Sequence, residues 1–98
     1  MFVVISYDIP SDRRRTKIMK LLKDYGLHVQ YSVFECELKD EDLRRLRQKL
    51  KKLVNPHLDN VRFYYISKDD ARKRHVWGVE RTKTKIDSWY LVGQDKDK

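Results

Sequence analysis

Residues 2–26 read FVVISYDIPSDRRRTKIMKLLKDYG. They begin with an almost continuous β-branched and aromatic run, which predicts a central strand that is buried on both faces and closed by Asp8. Ser11 or Asp12 can cap the helix that follows. Apolar side chains at helical spacing give this helix one stripe, formed by Ile18, Leu21, Leu22 and Tyr25. Gly26 is expected to end the helix in a left-handed conformation.

A second group of strands and a second helix follow. Residues 28–38 predict two short strands with a break near residues 31–32, because apolar and polar side chains alternate in the later half. Acidic residues at 40–42 open a helix at the end where its dipole favours negative charge. The apolar stripe of this helix is formed by Leu43, Leu46, Leu50 and Leu53. Asn55 and Pro56 stop it.

The rest of the chain completes the element order. Residues 61–66 predict a further strand, and the polar, basic residues 68–85 predict a loop or irregular arm. A short apolar strand at about residues 86–92 and a charged tail at 94–98 follow. The order is that of an α+β, ferredoxin-like β-α-β-β-α-β sandwich with an additional C-terminal strand. We expect a single domain over residues 1–93.

Two helices on one face of the sheet leave the other face uncovered. An uncovered face in a small protein docks RNA or a second copy of the chain. Residues 89–92, Trp-Tyr-Leu-Val, carry too much apolar surface to hang free. They are expected to pair with an edge strand, including one of a partner chain.

The composition indicates a polyanionic partner. The 98 residues include 23 Lys and Arg against 15 Asp and Glu, a formal net charge of +8. A small domain this basic most often binds nucleic acid, and the alternative is a protein kept soluble by its charge. The single cysteine, Cys36, excludes an intramolecular disulfide and a Cys-only zinc site. No segment has the composition of a signal peptide or a membrane span, so we expect a cytoplasmic protein without membrane contact.

Asp8 is the candidate catalytic and metal-binding residue. It ends the first apolar strand, and we expect it to face a cleft. A carboxylate is a ligand that Mg²⁺ or Mn²⁺ prefers. One carboxylate is a poor metal site, but two copies related by a twofold axis would form an adequate one. The alternative is a turn residue, because Asp is common between a strand and a helix.

Basic and aromatic side chains are the candidate nucleic-acid contacts. Arg13, Arg14 and Arg15 lie one turn from Asp8, and few acidic residues accompany the basic residues of either helix. A phosphate backbone suits such a surface, and a solvated helix face is the alternative. Arginines beside a metal-binding carboxylate suit phosphodiester cleavage, because they offset the charge that develops on phosphorus. The tyrosines that can stack on bases, or else lie in the core, are Tyr7, Tyr31, Tyr64 and Tyr65.

Two strings resemble a known family. VISYDI at residues 4–9 is followed by the arginine-rich helix start at residues 13–15 and by YGLHVQYSVFE at residues 25–35. Together they resemble the small CRISPR-associated adaptation protein, the second Cas family. Residues 61–64 match the family's next strand, and the resemblance extends from residue 1 to about residue 66.

The resemblance implies a ferredoxin-like homodimer whose last strand crosses to the other protomer. It implies that two Asp8 carboxylates meet near the dimer axis and hold one divalent metal. Members of the family are metal-dependent endonucleases of single-stranded RNA or double-stranded DNA. They also bridge the CRISPR integrase during spacer acquisition, a scaffold role in which Asp8 need not be catalytic. A toxin-type ribonuclease on the same fold is a further alternative.

The resemblance assigns three positions near the first strand. Asp8 matches the family's metal aspartate, and Tyr7 matches the aromatic residue before it. Arg15 matches a basic residue in the first turn of the helix.

Further positions differ from the family or allow two roles. Lys17 stands where relatives can carry Arg, so it keeps the charge without the bidentate fork. His28 stands where Arg is frequent, so the guanidinium fork is absent at this position. Ser32 can bond phosphate or only close the strand break. The candidate nucleic-acid contacts are therefore Tyr7, Arg13, Arg14, Arg15, Lys17, His28 and Ser32.

Overall fold

The element order expected from the sequence is present. A computed structural model describes residues 1–79. Its elements are β1 (Phe2–Asp8), α1 (Asp12–Lys23), β2 (Leu27–Gln30), β3 (Val33–Glu37), α2 (Asp40–Leu53), β4 (Asn60–Ile66) and α3 (Lys68–Arg72). The α+β class with β-α-β-β-α-β order is confirmed. The expected strand at residues 86–92 and the tail at 94–98 lie outside the described residues.

Strand β1 lies inside the sheet, and its register decides which residues meet Asp8. The strand order is β2-β3-β1-β4, and each neighbouring pair is antiparallel. Ser6 pairs with Val33 of β3 and with Arg62 of β4, and Asp8 pairs with Asn60. Successive side chains of a strand point to opposite faces. Ser6, Asp8, Asn60 and Arg62 therefore share one face.

The hydrophobic core lies on the other face, between the sheet and helices α1 and α2. From β1 it takes Val3, Ile5 and Tyr7, which are at most 5% exposed. The helices contribute Ile18, Leu22, Leu43, Leu46 and Leu50, with Leu53 partly buried. Both predicted apolar stripes are thus confirmed. The sequence predicts that β1 is buried on both faces, and this prediction is wrong. Val4 and Ser6 are only half-buried, because no helix within residues 1–79 covers them.

The opposite face, here called the open face, is covered at one end by the segment after β4. The sequence predicts a loop over residues 68–85, but its first part forms α3. One apolar residue, Ala71, anchors this helix at 3% exposure, which is too little to give a periodic signal. The Arg74 guanidinium lies 5.8 Å from the centre of the Phe2 ring and pairs with Glu35 at 3.3 Å. The end that carries Asp8 stays uncovered by residues 1–79.

Gly26 has a different role from the one expected. Ser11, one of the two expected caps, caps helix α1. The helix ends at Lys23, and Gly26 does not have a positive φ. A Cβ at Gly26 would lie 2.4 Å from Cys36 Sγ and 2.6 Å from the Glu35 carbonyl oxygen. Glycine is therefore required because the chain passes directly against β3.

None of the helices within residues 1–79 has the length and apolarity that a membrane crossing needs. The cytoplasmic location stays a prediction.

Candidate metal and nucleic-acid site

Asp8 lies exposed at the uncovered end of the open face. Its carboxylate forms no hydrogen bond or ion pair with residues 1–79, so its oxygens are available to a cation. The cleft expected at Asp8 stays a prediction. Within the described residues, no group of three or more His, Cys, Asp or Glu side chains could hold a metal ion. A metal at Asp8 therefore needs ligands from outside these residues, and metal binding stays a prediction.

Tyr7 lies in the core and is not placed to stack on a base. Its side chain is 5% exposed, and its ring centre is 6.3 Å from that of Phe34. The hydroxyl donates to the Tyr31 carbonyl oxygen at 3.4 Å. Burial raises the pKa of Tyr7, and nearby Arg15 opposes this rise. The stacking role predicted for Tyr7 is corrected to a core role, because β1 points this side chain toward the helices.

Stacking surfaces are instead provided by tyrosines that the sequence favoured as core residues. Tyr31 is 97% exposed in the turn between β2 and β3. Tyr64 and Tyr65 on β4 are 48% and 53% exposed. Strand β4 is an edge of the sheet within residues 1–79, which leaves its large side chains accessible.

The three arginines at the start of α1 have different environments. Arg14 forms a bidentate pair with Asp59, whose side chain is fully buried, and is itself 28% exposed. Arg15 donates to the Ile9 carbonyl oxygen at 2.9 Å and pairs with Asp12. Arg13 is exposed and has no polar partner in the described part of the chain. Of the triplet, Arg13 is the side chain most available to phosphate.

Basic side chains are exposed on both helices, and together they are here called the helix surface. On α1, Arg13, Lys17 and Lys20 follow the helical repeat, are exposed and lack acidic partners among residues 1–79. On α2, the corresponding side chains are Arg44, Arg47 and Lys51. Since the helices cover the opposite side of the sheet from the open face, the helix surface and Asp8 are on different sides of the chain.

His28 and Ser32 lie in the β2–β3 hairpin. The His28 ring stacks on Phe34 at 4.6 Å between centres, and its Nε2 is 2.5 Å from the Tyr31 carbonyl oxygen. Ser32 is half-buried, and its carbonyl oxygen accepts from the Tyr7 N–H at 3.1 Å. Ser32 thus joins the hairpin to the end of β1 that carries Asp8, whereas these His28 contacts lie within the hairpin. Contact of either residue with nucleic acid stays a prediction.

Asn60 and Arg62 are the neighbours of Asp8 that sequence reasoning missed. Both are exposed on the open face, Asn60 directly opposite Asp8 and Arg62 two residues further along β4, opposite Ser6. The signal was present in the alternation of Asn60, Arg62 and Tyr64 with Val61 and Phe63. This alternation alone does not show that Asn60 and Arg62 lie near Asp8. Only the register, which pairs β4 with β1, shows it.

Comparisons with known proteins agree in one family. The family model for CRISPR associated protein Cas2 matches residues 1–74. The protein named CRISPR-associated endoribonuclease Cas2 3 of Chloroflexus aurantiacus is 44% identical over 84 residues, or 86% of this chain and 90% of that one. A relative of the same name from Synechocystis is 45% identical over 75 residues, or 76% of this chain and 82% of its own.

Solved structures give the same result. Streptococcus pyogenes Cas2 superposes with a TM-score of 0.71 and 30% identity, covering 80% of this chain and 100% of that one. A chain of a structure described as a partial Cas6-RT-Cas1--Cas2 complex superposes with a TM-score of 0.67 and 35% identity, covering 76% and 88%. The resemblance read from residues 4–9 and 25–35 is therefore confirmed, and the chain belongs to the CRISPR-associated Cas2 family.

Proposed function

We propose that the protein is a CRISPR adaptation subunit with Mg²⁺-dependent endonuclease activity. The observation that carries the proposal is the exposed Asp8 carboxylate, which has no partner among residues 1–79 and lies at the end of the sheet that these residues leave uncovered. Relatives at 44% and 45% identity are named endoribonucleases, which makes single-stranded RNA the first substrate to test, with duplex DNA as the second.

A homodimer would complete the metal site. Two Asp8 carboxylates brought together by a twofold axis would supply hard oxygen ligands, which fit Mg²⁺ or Mn²⁺. A bound ion of this kind supplies Lewis-acid activation of a phosphodiester and of water. The uncovered end of the open face, the exposed Tyr64 and the edge strand β4 support self-association. Exchange of residues 86–92 between protomers remains part of this proposal.

The helix surface would hold parts of the nucleic-acid backbone away from the phosphate at Asp8, because it lies on the other side of the sheet. Arg13, Lys17 and Lys20 are exposed and free of acidic partners among residues 1–79, so each can contact phosphate. Arg14 and Arg15 would shape the site through their contacts with Asp59 and Ile9. His28 and Ser32 would add contacts at the hairpin.

A second candidate function is a non-catalytic scaffold that binds duplex DNA and docks the CRISPR integrase. It is favoured by the solved complex that contains both Cas1 and Cas2. The relatives described above carry CRISPR-associated names, which favours adaptation over a toxin-type ribonuclease.

The deciding experiment compares wild type with Asp8→Asn on single-stranded RNA and duplex DNA, with Mg²⁺, Mn²⁺ or chelator. Asp24→Asn is the matched control, because Asp24 is an exposed carboxylate at the opposite end of α1. Bound Mn²⁺ is counted by electron paramagnetic resonance on the same samples. We expect one Mn²⁺ site per dimer and metal-dependent cleavage, both lost only in Asp8→Asn. If no variant cleaves while all bind duplex DNA equally, the scaffold function replaces the nuclease.

A further inference from the structure

We propose that Arg62 is a substrate-binding residue that contacts the phosphate held beside Asp8. This inference rests on the proposed function, because it places nucleic acid at Asp8. No feature of the sequence alone links the two residues, which are separated by α1, β2, β3 and α2 in the chain.

The register brings Arg62 to Asp8. On the open face, Asp8 is opposite Asn60, and Ser6 is opposite Arg62. Arg62 is therefore the diagonal neighbour of Asp8, a relationship that spans roughly 7–8 Å between Cα atoms and lies within reach of a long side chain. Both side chains are exposed.

Two neighbours on β4 hold the guanidinium. Arg62 Nε donates to Asn60 Oδ1 and Nη1 donates to the Tyr64 hydroxyl oxygen, each at 3.3 Å. These contacts use two of the five N–H groups of the guanidinium. The other three have no partner among residues 1–79, and Arg62 forms no ion pair with Asp8. The Arg62 side chain therefore lies along the strand, and three of its N–H groups are left for a ligand by residues 1–79.

The other arginines near β1 are less suited to this role. The Nε and Nη2 atoms of Arg14 are bound by Asp59, and Arg15 is bound by Ile9 and Asp12. The helix surface that carries Arg13 lies on the other side of the sheet. Arg62 shares the face of Asp8, and its planar fork matches two phosphate oxygens. There it would offset the negative charge that grows on the phosphate during cleavage.

The test compares Arg62→Gln and Arg62→Lys with wild type. Arg72→Gln is the matched control, because Arg72 is an exposed arginine on α3 at the end of the sheet away from Asp8. Single-turnover cleavage of a single-stranded RNA is measured with Mg²⁺. Affinity for the same RNA is measured without metal at several salt concentrations, and the mass of the oligomer is measured by light scattering.

We expect Arg62→Gln to slow cleavage by roughly 10²-fold, the order seen when one charge-stabilising donor is removed. The salt slope is the slope of the log RNA-binding constant against the log salt concentration. For Arg62→Gln its magnitude should fall by about 0.7 for each lost phosphate contact. Arg62→Lys should restore the slope but only part of the rate, because it keeps the charge and lacks the fork. Arg72→Gln should match wild type in both measurements.

Two results would overturn the inference. One is an Arg62→Gln variant with an unchanged salt slope. The other is a loss of cleavage that accompanies dissociation of the dimer, which would make Arg62 an interface residue. If wild type does not cleave at all, the proposed nuclease function fails, but the salt slope still decides whether Arg62 contacts phosphate.

Discussion

Arg14 and Asp59 are joined by two parallel hydrogen bonds, Nε to Oδ2 and Nη2 to Oδ1, each 2.8 Å long. The Asp59 side chain is fully buried, and its Oδ2 also accepts from the Asn55 N–H at 2.9 Å. This pair connects the first turn of α1 to the loop before β4. Because Asp59 directly precedes Asn60, the pair also holds the start of β4 against the end of β1 that carries Asp8.

The Arg14–Asp59 pair predicts a pH-dependent contribution to stability. The hydrogen bond from Arg14 lowers the pKa of Asp59 below its ordinary value of 3.8; burial opposes this, and the Asn55 N–H adds to it. A carboxyl with a lowered pKa stabilises the fold above its unfolded pKa, and this stability is lost as pH falls through the folded pKa. Asp59→Asn should therefore be less stable than wild type near neutral pH, and the difference should shrink in strong acid.

Urea unfolding from neutral to strongly acidic pH measures this difference. Asp24→Asn is the control, because Asp24 is an exposed carboxylate without an ion-pair partner among residues 1–79. A gap between wild type and Asp59→Asn that stays constant into strong acid would contradict the prediction.

Arg13 and Arg14 should differ in their effects on nucleic-acid binding. Arg13→Gln combined with Lys17→Gln should weaken duplex DNA binding and lower the log–log salt slope by about 0.9 per lost phosphate contact. Arg14→Gln should lower the melting temperature instead, because it leaves the buried Asp59 without its cation. Fluorescence anisotropy at several salt concentrations, below the melting temperature of each variant, separates the two effects. An equal loss of slope in Arg14→Gln would show that Arg14 also contacts phosphate.

Gly26→Ala should destabilise the fold by about 1–3 kcal/mol, the usual cost of overpacking. The new methyl group would meet Cys36 Sγ and the Glu35 carbonyl oxygen, so β3 must shift. Cys36→Ala in the same chain should recover only part of the loss, because it removes the sulfur contact and leaves the backbone contact. Urea denaturation of the two single variants and the double variant measures this coupling. Full recovery in the double variant would place the whole conflict at the sulfur.

Cys36 should be unreactive in the folded protein. The side chain is 1% exposed, and burial, with a contribution from Glu35, raises the pKa of the thiol to about 12. Because the thiolate is the nucleophile, alkylation by iodoacetamide near neutral pH should be slow until urea unfolds the chain. Cys36→Ala should leave the proposed nuclease activity unchanged. Rapid alkylation of the native protein would contradict this assignment.

The secondary structure could be predicted because it depends on local patterns. The β-branched run at residues 2–7 and the leucines of α2 specify a strand and a helix through side-chain periodicity alone. Side-chain chemistry narrowed the helix cap to Ser11 or Asp12, and the structure shows that it is Ser11. Helix α3 was missed because its single buried residue, Ala71, leaves no periodic pattern.

The candidate site could be predicted only in part from local sequence patterns. Its position at the end of an apolar strand made Asp8 the candidate metal ligand, which stays a prediction. The motifs at residues 4–9 and 25–35 identified the family. The separate roles of Arg13, Arg14 and Arg15 could not be predicted from the sequence. Asp59 lies far along the chain from Arg14 and contacts it only after folding.

Residue type and local spacing were therefore enough to predict the strands and main helices within residues 1–79, to identify the family and to make Asp8 the candidate carboxylate. Tertiary structure decided that Tyr7 is buried, that Gly26 is needed for close packing and that Arg62 stands beside Asp8. These three outcomes depend on strand register, which pairs residues far apart in the chain. A shift of one residue in the pairing of β4 would place Arg62 on the other face of the sheet.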